Sequence, residues 1–263
     1  MPFTISHAAV VLPFARPLAR WRLLSAALIG SMVPDFGFLM TWRPPRVETH
    51  SALGLLTFCL PVGLASFWIF QRLVKTPLMA VLPDSAYLRW CSVAEPAAIR
   101  SLKQWGLAAC GVLGGAVTHL VWDAFTHEGA RGIRMIPMLV DPVVDIAGHR
   151  LVGARLWQDL SSIIGLGIVL AIVAYALRPD PRLAAGTPRA LQPRERHRWI
   201  LGYVAMSLFL AGCFAIMKSS LSDFSGRALS VIVGGVAIAV LRGFAAALVL
   251  QSLCLSVRLR HRA

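Results

Sequence analysis

The chain has 263 residues, of which 57% are hydrophobic and only 14% are charged. A soluble domain usually carries about 25% charged residues, so the composition excludes an ordinary soluble globular protein. The formal net charge of +14 suits either a nucleic-acid partner or a membrane protein with basic loops. The placement of the charges decides between these two classes.

The first forty residues predict a helical hairpin. The apolar stretch 5–14 is too short to cross a bilayer, which takes about 20 residues, and a Pro-Asp pair interrupts the stretch 23–40. We therefore expect a short helix, a turn in the Arg-rich segment 16–22, and a returning helix. This hairpin would bring His7 and Asp35 to the same side of the membrane.

Five further apolar stretches are long enough to span a bilayer. They are residues 51–70, 106–126, 160–177, 199–217 and 229–255. Together with the hairpin they predict an all-α fold, a polytopic transmembrane helical bundle of five spans. We divide the chain into a membrane domain (1–178), a Pro/Arg-rich cytoplasmic linker (179–198) and a two-span scaffold hairpin (199–263).

The basic residues follow this topology. With the carboxyl terminus in the cytoplasm, the predicted inner segments hold 17 Lys or Arg residues and the outer segments hold 8. Lys and Arg are enriched in cytoplasmic loops, so the bias predicts a multi-pass protein with a cytoplasmic carboxyl terminus. The charge is then explained by topology, and we predict no nucleic-acid partner.

The strongest functional signal lies at the end of the second span, where His119, Asp123 and His127 recur at four-residue steps. On a helix each step turns about 400° and rises about 6 Å, so the three side chains share one face. Ionisable groups are costly against lipid, so this face should line the bundle interior or a water-filled cavity.

Other ionisable residues fall on the same predicted membrane face. Imidazole and carboxylate groups together suit zinc, manganese or iron, so we predict a divalent metal site with zinc as the first choice. The predicted ligands are His7, Asp35, His50, His119, Asp123 and His127. His149 and Asp159, in the outer loop and at the next span, are additional candidates.

The spacing of the stripe leaves two arrangements open. His119 and His127 are about 12 Å apart along the helix axis and cannot easily bind one ion together. Asp123 could bridge two ions about 3.5–4 Å apart, the spacing of dinuclear hydrolases. Alternatively, one histidine is a ligand and the other supports a ligand or contacts the substrate.

These residues lie in segments that resemble a bacterial family of integral membrane proteins, domain-of-unknown-function family 4184. The matching segments are MPFTISHAAVVLP, IGSMVPDF, THSALGLL, GAVTHLVWDAFTH and, weakly, WQDLSSIIGL. The family is similar to predicted membrane-bound metal-dependent hydrolases and, more remotely, to helical zinc phospholipases. The resemblance implies the same six His and Asp ligands and a bacterial inner (plasma) membrane location. A histidine commonly follows the glutamine of the last segment, where this chain has Asp159.

We therefore predict a membrane metal-dependent hydrolase at the extracytoplasmic face. Its substrate would be an amphiphilic small molecule, a membrane lipid or a lipid-linked phosphate or ester. Asp123 and His119 are the predicted catalytic residues, and Arg131 and Arg134 of the outer loop would bind a substrate phosphate. Two alternatives stay open: a transporter or proton-conducting protein that uses the stripe as a relay, and a non-catalytic membrane scaffold with a structural metal.

Overall fold

A computed structural model describes residues 4–40, 44–94, 99, 101–127, 130–140, 142–146, 149–180, 191–219 and 229–261. The described residues are predominantly helical, which confirms the all-α prediction. Five helices are long and apolar enough to cross a membrane, so the predicted polytopic bundle is also confirmed. They are α1 (Ala52–Val81), α2 (Leu102–Ala124), α3 (Gly153–Leu177), α4 (Pro193–Ser219) and α5 (Leu229–Arg260).

The amino-terminal segment forms the predicted helical hairpin. Its first arm alternates 3-10 and α-helical turns in the segments Thr4–His7, Ala8–Val11, Leu12–Phe14 and Ala15–Arg20. The chain reverses at Arg22, whose φ of 57° lies in the left-handed region. The returning arm is an α-helix over Leu24–Gly30 followed by a 3-10 helix over Val33–Leu39.

Short elements connect the long helices. The helix Arg46–Thr49 precedes α1, where the Ser51 hydroxyl caps the first turn by accepting from the Gly54 N–H. Further short helices cover Asp84–Ala94, Ile133–Met135 and Pro137–Val140. An antiparallel hairpin of β1 (Pro142–Ile146) and β2 (His149–Val152) lies in the segment between α2 and α3, in the predicted outer loop.

The chain forms two compact units, and the first contains all six predicted ligands. It comprises Met1–Gly37, Pro44–Phe67 and Ala98–Tyr175. Its hydrophobic core is built from Ala26, Phe67, Ala108 and Val112. Within this unit the hairpin arm Leu24–Gly30 packs closely on α2.

Glycines permit that close approach of the hairpin to α2. A Cβ on Gly115 would lie 2.2 Å from the Ala27 carbonyl oxygen, and one on Gly30 would lie 2.2 Å from the Val112 carbonyl oxygen. These separations are far below contact distance, so the two backbones meet directly. Gly114 has open space at its Cβ position, so it takes no part in this packing.

The second unit comprises Phe38–Arg43, Trp68–Ala97 and Ala176–Ala263. In it α4 packs against α5, where a Cβ on Gly243 would lie 2.6 Å from the Ser207 carbonyl oxygen. Arg242 of α5 donates to the carbonyl oxygens of Phe38, at 2.9 Å, and Met40. Half of the predicted 179–198 linker lies outside the described residues, and the predicted three-part division stays a prediction.

Candidate metal centre

Separate elements of the first unit bring the six predicted ligands together. His7 ends the first 3-10 helix and Asp35 lies in the returning 3-10 helix of the hairpin. His50 follows the short helix before α1, and His119 and Asp123 occupy the last turns of α2. His127, predicted on the same helix, lies three residues beyond its end at Ala124. Each of the six has a side-chain nitrogen or oxygen within 4 Å of another member of the cluster.

The cluster is withdrawn from solvent. The exposed fractions of His7, Asp35, His119 and Asp123 are 3%, 6%, 1% and 6%. Burying a charged or polar group is costly unless a partner compensates for the lost hydration. The partners of these side chains therefore indicate what the site is built to hold.

Asp123 lies at the centre of the cluster, and its two carboxylate oxygens contact different partners. Oδ1 lies 3.8 Å from His7 Nε2 and 3.4 Å from His127 Nδ1. Oδ2 lies 3.4 Å from both His50 Nε2 and His119 Nε2, and it also accepts from the Arg46 guanidinium. One carboxylate thus joins all four histidines.

Asp35 faces two of the same histidines from the other side. Its Oδ1 lies 3.4 Å from His50 Nε2 and 3.9 Å from His119 Nε2. Its Oδ2 accepts a 2.8 Å hydrogen bond from the Thr4 hydroxyl, which fixes the orientation of the carboxylate. Oδ1 is thereby directed at the two imidazole nitrogens.

Hydrogen bonds at Nδ1 determine which nitrogen His119 and His50 present to the cluster. His119 Nδ1 lies 2.8 Å from the Ser31 carbonyl oxygen, which only accepts, so Nδ1 carries the proton. His50 Nδ1 lies 2.8 Å from the Thr49 hydroxyl, which in turn donates to the Arg46 carbonyl oxygen. The Nε2 atoms of both rings therefore face the carboxylates, and each would present a lone pair there when the ring is neutral.

The result is a group of acceptors that face one another. Among the residues that the structure describes, five cluster atoms are buried without a hydrogen-bond partner. They are His7 Nδ1 and Nε2, His50 Nε2, His119 Nε2 and Asp123 Oδ1. Lone pairs and carboxylate oxygens at 3.4–3.9 Å repel one another unless a cation lies between them.

The spacing of these atoms fits a metal ion. Nitrogen and oxygen ligands lie about 2.0–2.2 Å from zinc, so two ligands of one tetrahedral ion are separated by about 3.4 Å. Two sets of three ligand atoms lie within 4.8 Å of one another, His7–His119–Asp123 and Asp35–His50–His119. His119 belongs to both sets but has one free nitrogen, so it can serve one ion at a time.

His127 differs from the other three histidines because both of its ring nitrogens have partners. Nδ1 lies 3.4 Å from Asp123 Oδ1 and 3.2 Å from the Thr126 hydroxyl. Nε2 lies 3.2 Å from the side-chain nitrogen of Gln158, an amide that donates. His127 is thus arranged to orient Asp123, which is the second of the two arrangements that the spacing left open.

Burial has a consequence for the protonation of the histidines outside the spans. It lowers the pKa of His7 to about 4, with the nearby His119 ring acting in the same direction. Burial also lowers the pKa of His127. His7 is therefore neutral at pH 7 and offers a lone pair, the form in which imidazole binds a metal.

Three residues of the cluster were missed by the sequence analysis. Thr4 contacts Asp35, Arg46 contacts Asp123, and Gln158 contacts His127. Thr4 and Gln158 lie inside the segments that resemble the family, which was the available signal. No periodicity or spacing connects Arg46 to Asp123, since 77 residues separate them.

The remaining candidates belong to the segment between α2 and α3 or to α3 itself. Asp159 is exposed and its carboxylate accepts a 3.2 Å hydrogen bond from Arg155, so the structure does not bring it to the cluster. The backbone of His149 belongs to β2. Arg131 and Arg134 are exposed in the segment that follows α2.

Comparison with known proteins extends the resemblance to almost the whole chain. A family model described as a domain of unknown function, DUF4184, matches residues 1–253 and so covers every residue of the cluster. No curated protein and no solved structure matches the chain.

Proposed function

Because the chain belongs to the DUF4184 family of unknown function, its activity must be inferred from its own site, and we propose that it is an integral membrane metal-dependent hydrolase. The proposed substrate is a lipid, or a lipid-linked phosphate or ester. The proposed orientation has the carboxyl terminus in the cytoplasm and the metal centre at the extracytoplasmic face of a bacterial inner membrane.

One observation carries this proposal. The Nε2 lone pairs of His50 and His119 and the carboxylates of Asp35 and Asp123 converge, buried, at 3.4–3.9 Å. A structural role in the fold would satisfy these atoms with hydrogen bonds, as it does the Nδ1 atoms of the same rings. We assign His7, Asp35, His50, His119 and Asp123 as the ligands, with zinc as the first choice of metal.

The donor set also supports hydrolysis. A bound divalent metal supplies Lewis acidity, which lowers the pKa of water to about 7 and makes a nucleophile available at neutral pH. Hydrolysis adds the hydroxyl of water to the phosphorus or carbonyl carbon and a proton to the leaving oxygen. His127 and Gln158 hold Asp123 in position, and the Arg46 guanidinium offers a positive charge to an anionic substrate group.

The composition of α2 supports a hydrolase over a proton relay. A relay needs ionisable or polar groups that continue across the membrane. The buried residues of α2 before His119 are all small or apolar, namely Ala108, Gly111, Val112, Gly115 and Ala116. The buried polar residues of α2, His119 and Asp123, thus both lie near its carboxyl-terminal end.

Metal content tests the proposal directly. We would purify the wild type and the Asp123→Asn variant in detergent and measure bound metals by elemental mass spectrometry. The wild type should carry one or two equivalents of zinc, manganese or iron, and the variant should carry none because an amide replaces the central carboxylate. Hydrolysis of a panel of phospholipids and lipid phosphates should be lost together with the metal.

Asp159→Asn is the matched control, since it changes an exposed aspartate of the same unit that lies outside the cluster. It should keep both the metal and the activity. Metal retained in Asp123→Asn would contradict the assigned ligands. Wild-type protein that binds metal but hydrolyses no member of the panel would instead favour the scaffold alternative.

A further inference from the structure

A cleft beside His7 is not used by the metal centre. It encloses about 160 Å³ between the first helical turns of the hairpin, α2 and α3. Val10, Ile164 and Ile168 contribute aliphatic walls, and the indole rings of Trp122 and Trp157 lie 6.3 Å apart at one end. The volume is below the roughly 300–1,000 Å³ of a drug-sized ligand site, so the cleft suits a narrow occupant.

The polar side chains along the cleft are already satisfied. Three serines line it, and each donates its hydroxyl to a backbone carbonyl. Ser6 donates to Ser162 at 2.8 Å, and Ser161 and Ser162 donate to Gln158 at 3.1 and 2.7 Å. The walls therefore favour a hydrocarbon, and the His7 ring lies among them.

The dimensions of the cleft match one leaflet of a bilayer. Its lining residues on α3 extend from Trp157 to Ile168, which corresponds to about 16 Å of helix. The hydrocarbon core of a bilayer is about 30 Å thick, so a cleft of this length reaches to its middle. Tryptophans are enriched at the headgroup level of membranes, so we expect the end of the cleft with Trp122 and Trp157 to lie there.

His7 connects the cleft to the metal centre. It lines the cleft, and its ring stacks on the His119 ring with centroids 3.8 Å apart. Its Nε2 also lies 3.8 Å from Asp123. An occupant with its hydrocarbon part in the cleft would thus have its polar end beside the proposed ligands.

We propose that the cleft binds one acyl chain of a membrane lipid and presents the ester or phosphate group of that lipid to the metal centre. This inference rests on the proposed function and deepens it, because it makes an acyl lipid the substrate. The lipid enters from the bilayer, since α2 and α3 are both long and apolar enough to span a membrane.

Photocrosslinking tests the occupant without relying on turnover. The full chain would be reconstituted in vesicles of phosphatidylcholine and phosphatidylglycerol that carry a diazirine midway along one acyl chain. After irradiation, crosslinked peptides would be mapped by mass spectrometry. We expect crosslinks to concentrate on the cleft residues Val10, Ile164 and Ile168.

A matched pair of variants on α3 sharpens the test. Both isoleucines are exposed, Ile164 at 50% and Ile163 at 65%, but only Ile164 lines the cleft. Ile164→Trp should fill the cleft and lower the cleft crosslinks about tenfold, the factor that follows from losing the burial of roughly two methylene groups. Ile163→Trp should leave them unchanged, and both variants should keep the metal content and melting temperature of the wild type.

The outcomes separate this inference from the proposed function. Crosslinks spread evenly over the exposed faces of α2 and α3, with no effect of Ile164→Trp, would overturn the acyl-chain cleft and leave the metal assignment standing. Crosslinks concentrated at the cleft, in a protein that binds metal but hydrolyses none of the lipids, would support chain binding and contradict the hydrolase.

Discussion

At the scale of single residues, the cluster depends on side chains that bind no metal themselves. Thr4 directs Asp35, Thr49 fixes the His50 tautomer, and Gln158 holds His127. Such supporting contacts typically change metal affinity by about 10- to 100-fold when they are removed. They offer milder tests than removal of a ligand.

Thr4→Val removes the hydroxyl that donates to Asp35 Oδ2 at 2.8 Å and keeps the shape of the side chain. We expect metal affinity to fall about tenfold, because the carboxylate loses the bond that orients it. Thr4→Ser keeps the hydroxyl and should restore the wild-type affinity in a competition titration with a chromogenic chelator. Wild-type affinity in Thr4→Val would contradict an orienting role for the hydroxyl.

Arg46 is the one cation in contact with Asp123 among the described residues, and 42% of its side chain is exposed. We expect Arg46→Gln to keep the metal and to raise the KM for an anionic lipid about tenfold to a hundredfold, the range for a lost charge-assisted hydrogen bond. Steady-state kinetics and metal analysis on the same preparation check both points. Arg155→Gln, in an exposed pair with Asp159, is the control, and loss of metal in Arg46→Gln would contradict an anion-binding role.

At the scale of elements, contact between the hairpin and α2 places His119 beside the Ser31 carbonyl. Gly115 lies one helical turn before His119, and its missing side chain lets the Ala27 and Ser31 backbones approach. The cluster geometry therefore depends on a surface that holds no ligand. A methyl group there should separate the hairpin from the helix.

Gly115→Ala should destabilise the protein by about 1–3 kcal/mol, the usual cost of overpacking, because its Cβ would lie 2.2 Å from the Ala27 carbonyl oxygen. Bound metal should decrease in the same variant, since Ser31 and His119 move apart. Gly114→Ala has open space and should match the wild type. Thermal unfolding in detergent and elemental analysis test the pair; equal melting temperatures for both variants would be inconsistent with direct backbone contact.

At the scale of the whole molecule, the arrangement of basic residues decides which side of the membrane the site faces. The five candidate spans establish a multi-pass membrane protein. The excess of Lys and Arg in the predicted inner segments predicts an orientation with the carboxyl terminus in the cytoplasm. The end of α2 that carries Asp123 would then face outward.

Labelling with a membrane-impermeant maleimide tests this orientation in a background without the native cysteines. Arg131→Cys, just after α2, should react in intact cells because the bias places it outside. His261→Cys, at the carboxyl end of α5, should react after permeabilisation alone. Both positions are exposed, so accessibility within the protein does not limit either reaction. The reverse pattern would place the metal centre on the cytoplasmic side.

Periodicity and topology account for what the sequence could predict. The four-residue step correctly placed His119 and Asp123 on one face of α2, whereas that helix ends at Ala124 and His127 lies beyond it. The hairpin brings His7 and Asp35 to the same cluster. The four-residue spacing is a local pattern within one segment. The side of the membrane on which a residue lies follows from the number of spans that precede it. Together they pointed to the six His and Asp residues before any coordinates, but not to Thr4, Arg46 or Gln158.

The parts that escaped prediction depend on tertiary contacts or on helix ends. Arg46 meets Asp123 only in the folded chain. The predicted ends of two spans were wrong, since α1 continues to Val81 and α3 begins at Gly153. Polar residues extend both helices beyond the apolar stretches, and hydropathy is insensitive to such extensions. The β1–β2 hairpin lies where the sequence predicted only an outer loop.

The hydrogen bond between His119 and Ser31 has a consequence for how mutational scans of this family are read. The acceptor is a main-chain carbonyl, and the Ser31 hydroxyl donates elsewhere, to the Leu28 carbonyl. Replacing Ser31 by alanine therefore leaves the contact in place. The tautomer of the most buried histidine is encoded in the path of the backbone, so a scan of side chains would pass over the position that controls it. Substitutions that shift the hairpin backbone would reveal the role of the Ser31 carbonyl.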